Sequence, residues 1–196
     1  MTPIIFATNN NNKILEVQSL IKNDSLIIKT LEEEGIDIDI AEPFLTLEDN
    51  AKQKASVINK LSQKICFAED TGLFVKALSG APGVKSARYA GEERSDEKNI
   101  KLLLYNLSEV KNRSAYFKTV ICLIWDKETH FFEGICEGRI ISEKKGEFGF
   151  GYDPVFIPTG SQKTFAEMTI AEKNIFSHRK KALFQLIDFF AKQNKS

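Results

Sequence analysis

No segment of this chain is a long hydrophobic run. Its apolar stretches fall well short of the ~18 residues a membrane-crossing helix requires, and Ile4-Ile5-Phe6-Ala7 yields to a polar run too soon for a signal peptide. A soluble, cytoplasmic protein with no membrane partner is expected. Charge of one sign is absent too: 27 Lys and Arg face 27 Asp and Glu, which removes the global basic field that draws proteins to nucleic-acid polymers. Any phosphate contacts must then be local. Cysteine is scarce, with 3 in 196 residues, and Cys66, Cys122 and Cys136 lie in apolar runs without metal-ligand spacing, so they read as core residues in a reducing compartment. The glycines of a P-loop are missing, neither histidine has a partner visible in the sequence, and no internal repeat, low-complexity tract or linker divides the chain. What these absences leave is a single domain over residues 1–196, large enough to bury a substantial core.

The stretch with most chemistry in it runs from Ile65 to Gly91. Its opening apolar run, Ile65 to Ala68, stops at Glu69-Asp70-Thr71-Gly72, which predicts a buried strand delivering its C-terminal end into a cleft, where open α/β sheets hold ligands. The carboxylate pair beside Gly80-Ala81-Pro82-Gly83 points either to a bound divalent cation or to a strand capped by solvated acids before a turn. Upstream, Pro3 to Ala7 predicts a strand, Thr8-Asn9-Asn10-Asn11-Asn12-Lys13 a loop, and Ile14, Val17 and Ile21 a helix stripe. Asparagine caps a helix well, and the helix start with the Lys13 ammonium suits a phosphate; the plainer reading is capping asparagines and a solvated lysine.

Ser25 to Leu31 alternates as a second strand, and Gly35 to Ile40 reads as a loop or edge strand. Thr46 then caps a helix with Glu48 and Asp49 in its first turn and a buried stripe of Ala51, Ala55, Ile58 and Leu61. On that helix Asn50 and Lys54 share a face, turned to the cleft or to solvent. Ser95 caps a further helix, with Asp96 and Glu97 in its first turn, that reads as purely structural. Ala115 to Trp125 and His130 to Ile141, joined by Asp126 to Thr129, form an antiparallel hairpin and favour a mixed sheet. Gly149-Phe150-Gly151-Tyr152-Asp153-Pro154 is a loop able to offer an aromatic face to a purine, or a turn whose aromatics plug the core. Thr169 and Glu172 form a capping box, with Lys173 in the first turn and Ser177-His178-Arg179 following on a related face, an arrangement suited to an anionic ligand.

Taken in order, Thr8-x-Asn10-x-x-Lys13, Glu69-Asp70-Thr71-Gly72-Leu73, Gly80 to Gly83 with Ser86 to Gly91, Gly149 to Pro154 and Ser177-His178-Arg179 resemble the signature of the inosine/xanthosine triphosphate pyrophosphatases over nearly the whole chain. The resemblance implies an elongated α/β fold, a mixed β-sheet flanked by helices with two lobes around a central active-site cleft, and a homodimer. It implies hydrolysis of deaminated purine nucleoside triphosphates (ITP, dITP, XTP) to monophosphate and pyrophosphate, with Mg²⁺ as cofactor. By the same resemblance Thr8, Asn10, Lys13 and Lys54 bind the triphosphate, and Thr71 contacts substrate where serine is usual. Asp70 is the proton acceptor and metal ligand, and Glu42 the second metal ligand, with Glu48 or Asp49 as competitors for that role. Phe150, Gly151, Tyr152 and Asp153 bind the base, and Lys173, His178 and Arg179 are C-terminal substrate contacts; on donor chemistry, Arg179, which can only donate, and the backbone N–H groups near His178 are the candidates for reading position 6 of the purine. A pyrophosphatase for pyrimidine or other modified nucleotides and a non-catalytic nucleotide sensor are the alternatives.

Overall fold

The computed structural model describes residues 3–21 and 26–193. β1 (Ile4–Phe6) leads through α1 (Asn11–Leu20) to β2 (Ile28–Thr30), then through α2 (Leu47–Ser62) to β3 (Cys66–Val75). β1 pairs in parallel with both β2 and β3, so the two helices serve as crossover connections. The strand expected from Ser25 starts at Ile28, and Ser25 itself lies outside the described residues. Residues 35–40 form a loop: a 3-10 turn over Glu32–Glu34 ends on Gly35 at φ 68, a left-handed angle that glycine adopts without strain. Next come β4 (Pro82–Gly83), α3 (Asp96–Asn106), β5 (Ser114–Trp125), β6 (Glu128–Ile140), β7 (Phe156–Pro158), α4 (Ile170–Phe176) and α5 (His178–Gln193). Among the described residues this gives a seven-stranded mixed sheet in the order β2-β1-β3-β5-β6-β7, with β4 on β3, and hence the mixed α/β class. The β5–β6 turn is tighter than expected, because Asp126 and Lys127 both take positive φ (49 and 66), the geometry that matches strand twist in a two-residue hairpin. None of the helices among the described residues is long and apolar enough to cross a membrane.

The chain divides into two compact units. The first contains the chain up to Asp70, Thr119–Gly134 and the segment from Arg179 onward. Its core follows the period of two along β1: Ile4 and Phe6 pack with Phe67, Ile121, Leu123 and the α5 residues Ala182, Leu183 and Leu186, while Ile5 and Ala7 pack with Cys66, Ala68, Cys122 and the α2 residues Ala51, Ala55 and Ile58. Phe6 and Phe67 stack at 4.5 Å, a pair worth about 0.5–1.5 kcal/mol beyond its buried area. Leu61 does not continue the α2 stripe; it stands 60% exposed in the last turn.

The second unit contains Thr71–Lys118 and Ile135–His178. Leu73, Val75, Leu103, Leu107, Phe117, Phe156 and Phe165 make its core, with Phe117 edge-on to Phe156 at 4.7 Å. β4 lies so close to β3 that a Cβ on Gly72 would come within 2.5 Å of the Gly83 carbonyl oxygen, so the glycine is required for the strand contact. All three cysteines are buried, as their apolar surroundings predict.

Candidate functional site

The acids at the heart of the chain lie inside a strand, not beyond its end. β3 runs without interruption from Cys66 to Val75 through Glu69, Asp70 and Thr71. This corrects the expectation of a strand that stops at its carboxylates, and the physical reason lies in the pleat. Consecutive strand residues face opposite sides, so Glu69 falls on the Phe67 side with α1 and α5, and Asp70 on the Ala68 side with α2. The neighbouring carboxylates therefore belong to two different clusters of the first unit.

On the first side, Thr8 and Asn10 organise the start of α1. The Thr8 hydroxyl accepts from the Asn10 amide at 3.2 Å, and the Asn10 side chain caps the helix by accepting from the Lys13 amide at 3.2 Å. Lys13 then directs its ammonium to Glu69, 3.2 Å away. Arg179, at the start of α5, donates through Nε to both Glu69 oxygens at 3.0 and 2.8 Å and through Nη1 to Glu16 on α1. Two cations and two carboxylates thus offset one another in the interior. Burial opposes ionisation of Glu69, but the charges of Arg179 and Lys13 outweigh it and hold its carboxyl down at about 2. Burial likewise opposes the Arg179 charge, which its two carboxylates secure. Arg179 is 1% exposed, with its guanidinium turned to Glu69 and Glu16.

On the other side, Thr46 caps α2 by accepting from the Asp49 amide at 3.1 Å and donates to the Asp49 carboxylate at 2.6 Å. Two residues of this helix, one turn apart, reach Asp70: Lys54 donates to Oδ1 at 3.2 Å and Asn50 to Oδ2 at 3.3 Å. Asn50 also ties the preceding loop, accepting from the Phe44 amide at 3.0 Å and donating to the Phe44 carbonyl at 3.2 Å. The Lys54 ammonium is shared between Asp70 and Glu42. Glu42 is thus the acid set against this group, while Asp49 is engaged in its own helix cap. Burial pushes the Asp70 carboxyl upward, with Lys54 and Lys13 countering only in part, and burial of Lys54 is outweighed by its two carboxylates, which raise it. Among the described residues no three His, Cys, Asp or Glu side chains form a cage for a metal ion. Two carboxylates that already converge on one cation, with no imidazole or thiolate beside them, suit Mg²⁺, which takes one or two carboxylates and keeps waters and phosphates as its other ligands.

In the second unit Thr71 is half-buried on β3, and the 149–153 loop is fixed by its own acid. Asp153 accepts from the Phe150 amide at 3.0 Å and from the Lys173 ammonium at 2.5 Å. Lys173 lies 5.2 Å from the centre of the Phe150 ring and 5.1 Å from that of Phe165, positions that favour a cation over an aromatic face. Tyr152 is buried, and its hydroxyl donates to the Ser86 carbonyl at 2.9 Å. Ser86 in turn accepts from the Leu73 amide at 2.8 Å and donates to the Gly83 carbonyl at 2.6 Å, which connects the Gly80–Gly83 motif to β3. The capping box at Thr169 is present as the sequence predicts, but α4 ends at Phe176: Ser177 takes ψ 125, and His178 and Arg179 open a new helix. They do not continue the Lys173 helix, as the even spacing had implied. His178 is buried and stacks on Phe117 at 4.8 Å.

Sequence reasoning did not assign Glu69 and Glu16 any partner, and it left Asn50 open between cleft and solvent. A signal existed for Glu16 and Asn50. Glu16 lies three residues after Lys13 and Asn50 four before Lys54, spacings that put each on one helix face with a phosphate-candidate lysine.

Comparison with known proteins finds relatives over nearly the whole chain. A curated protein of Flavobacterium psychrophilum named dITP/XTP pyrophosphatase is 50% identical over 187 residues, covering 95% of this chain and 98% of that one. Another of the same name from Porphyromonas gingivalis is 50% identical over 190 residues, covering 96% and 97%. Among solved structures, the Staphylococcus aureus Ham1 protein superposes with a TM-score of 0.87 at 38% identity, covering 97% of this chain and 99% of that one. A HAM1 protein from Coxiella burnetii gives 0.88 at 36% identity, covering 98% and 100%. With the model of the Ham1 family matching residues 4–189 as well, the chain belongs to the Ham1 family.

Proposed function

We propose that this chain hydrolyses the triphosphates of deaminated purines, ITP, dITP and XTP, to the nucleoside monophosphate and pyrophosphate. The observation that carries the reading is Asp70, a buried carboxylate gripped by Lys54 and Asn50 and paired across Lys54 with Glu42. Relatives that are 50% identical carry the name dITP/XTP pyrophosphatase. Asp70, held in place by Lys54 and Asn50, takes the role of proton acceptor for the attacking water. Asp70 and Glu42 are the residues that would hold Mg²⁺, which would supply charge neutralisation for the phosphates. Lys13 and Lys54 carry the remaining charge of the triphosphate, Thr8 and Asn10 keep the α1 start in the form that presents its amides, and Thr71 adds a hydroxyl. The purine goes to Phe150 through Asp153, with Lys173 behind the ring. Arg179 and His178, both buried, act through their neighbours: Arg179 by fixing Glu69 and hence Lys13, His178 by packing on Phe117. A homodimer in the cytoplasm completes the reading, in line with the family resemblance.

The test is pyrophosphate release from inosine, xanthosine, guanosine and adenosine triphosphates, with and without Mg²⁺. The expected result is release from the first two, with discrimination of roughly 10²–10⁴-fold against ATP from mismatched buried polar groups, and none without the metal. Equal turnover of all four, or release of orthophosphate in place of pyrophosphate, would overturn the reading.

A further inference from the structure

The α3 helix, which the sequence presents as purely structural, carries a carboxylate that leaves its own helix. Asp96 is the first residue of α3, yet the capping of that turn falls to Ser95, whose hydroxyl accepts from the Lys98 amide at 3.4 Å. The Asp96 carboxylate instead accepts from the amide of Gly151, 55 residues away, at 2.7 Å. Gly151 sits at the left-handed φ 60, and a Cβ there would meet nothing within 4 Å. The two residues flanking that amide are anchored by other means: Phe150 through Asp153, and Tyr152 through the Ser86 carbonyl. One turn along α3, the buried Asn99 performs a matching task on the 86–91 segment, accepting from the Ala90 amide at 2.7 Å and donating to the Ala87 carbonyl at 3.0 Å. Both residues lie on one helix face, so a single rigid element fixes two loops of the second unit.

We propose that Asp96 is a positioning residue for the purine, holding the Gly151 peptide and through it the face of Phe150. The proposal rests on the assignment of the 149–153 loop to the base. A loop allowed to rotate about Gly151 still carries its aromatic ring but presents it at varied angles, which weakens base binding without touching the reacting phosphate.

The experiment compares kcat and KM for ITP, and inhibition by inorganic tripolyphosphate, in wild type, Asp96→Ala, Asp96→Asn and Glu97→Ala, with a thermal melt of each. Asp96→Ala is expected to raise KM for ITP roughly tenfold with kcat little changed, since uniform binding is lost. Tripolyphosphate inhibition, which has no base to read, stays at the wild-type level. Asp96→Asn keeps an acceptor oxygen and restores most of the KM. Glu97→Ala removes the same helix-end charge without touching Gly151 and leaves KM unaltered, so a purely structural role would move the melts and not the KM. A wild-type KM in Asp96→Ala, an equal rise in Glu97→Ala, or a parallel loss of tripolyphosphate inhibition would overturn the proposal alone. Inactivity of the wild type on ITP would overturn the hydrolytic reading and the proposal with it.

Discussion

Glu69 and Asp70 differ by one methylene and one position, yet partners separate their chemistry. Asp70 is raised by burial, whereas Glu69 is driven from an ordinary 4.5 to about 2 because Arg179 and Lys13 outweigh its burial. For Asp70 the consequence, on the proposed reading, is catalytic. Asp70→Asn keeps the shape and an acceptor oxygen for Lys54 but removes the charge and the base, so activity on ITP should fall by at least ~10²–10⁴-fold while far-UV circular dichroism stays unchanged. Near-normal turnover in a folded variant would remove Asp70 from the mechanism. For Glu69 the consequence is stability. Its folded pKa lies below its unfolded one, so its contribution is fully present above pH 4.5 and is lost as pH falls towards 2. A gap of that size is worth roughly 3 kcal/mol. Glu69→Gln, which leaves Arg179 with one buried carboxylate fewer, should lose about 3–5 kcal/mol at neutral pH in urea denaturation, and its stability should vary less than that of wild type between about pH 5 and pH 2. Parallel pH profiles for the two proteins would show that the ion cluster is not the source of the acid sensitivity.

At the scale of elements, the 149–153 loop separates two glycines that look alike in sequence. Gly149 and Gly151 both take positive φ, at 78 and 60, but a Cβ on Gly149 would run into the Asp153 carboxylate whereas one on Gly151 meets open space. Gly151→Ala should therefore cost only the left-handed backbone strain, about 1–2 kcal/mol, while Gly149→Ala should cost more and loosen the Asp153–Lys173 pair as well. Melting temperatures of the two variants would decide it: an equal or larger fall for Gly151→Ala contradicts the crowding seen at Gly149. The helix starts at Thr46, Ser95 and Thr169 were legible in the sequence because a cap is a local rule about residues three apart. Two features were not. An uninterrupted β3 could not be read through Glu69-Asp70-Thr71, since buried charges in a strand depend on partners 110 residues away for Glu69 and 16 to 20 residues away for Asp70. The break at Ser177 has no proline or glycine to announce it, so His178 and Arg179 read as one more turn of the helix that carries Lys173.

For the whole molecule, equal numbers of acidic and basic side chains conceal a local arrangement in which buried charges are matched by residues from distant parts of the chain. Neither compact unit is a continuous segment: the first is assembled from three stretches and the second from two. The residues up to Asp70 hold β1, β2, β3 as far as Asp70, α1 and α2, which look like a complete β-α-β-α-β module. They are not self-sufficient. The core on the Phe67 side takes Ile121 and Leu123 from β5 and Ala182, Leu183 and Leu186 from α5, each worth up to about 1.5–3 kcal/mol of burial for the larger side chains. Glu16 and Glu69, both buried in the complete chain, would lose Arg179. A marginal stability of about 5–15 kcal/mol does not survive losses of that kind. A fragment of residues 1–70 is therefore expected to lack the far-UV helical signal and cooperative melt of the full chain, and adding Arg179 back requires the whole of α5 and the strands that seat it. A fragment that melted cooperatively with native-like helix content would mean that local propensity and the α2 face alone suffice to fold this segment, and that the Glu16–Arg179–Glu69 cluster serves Lys13 and not the fold.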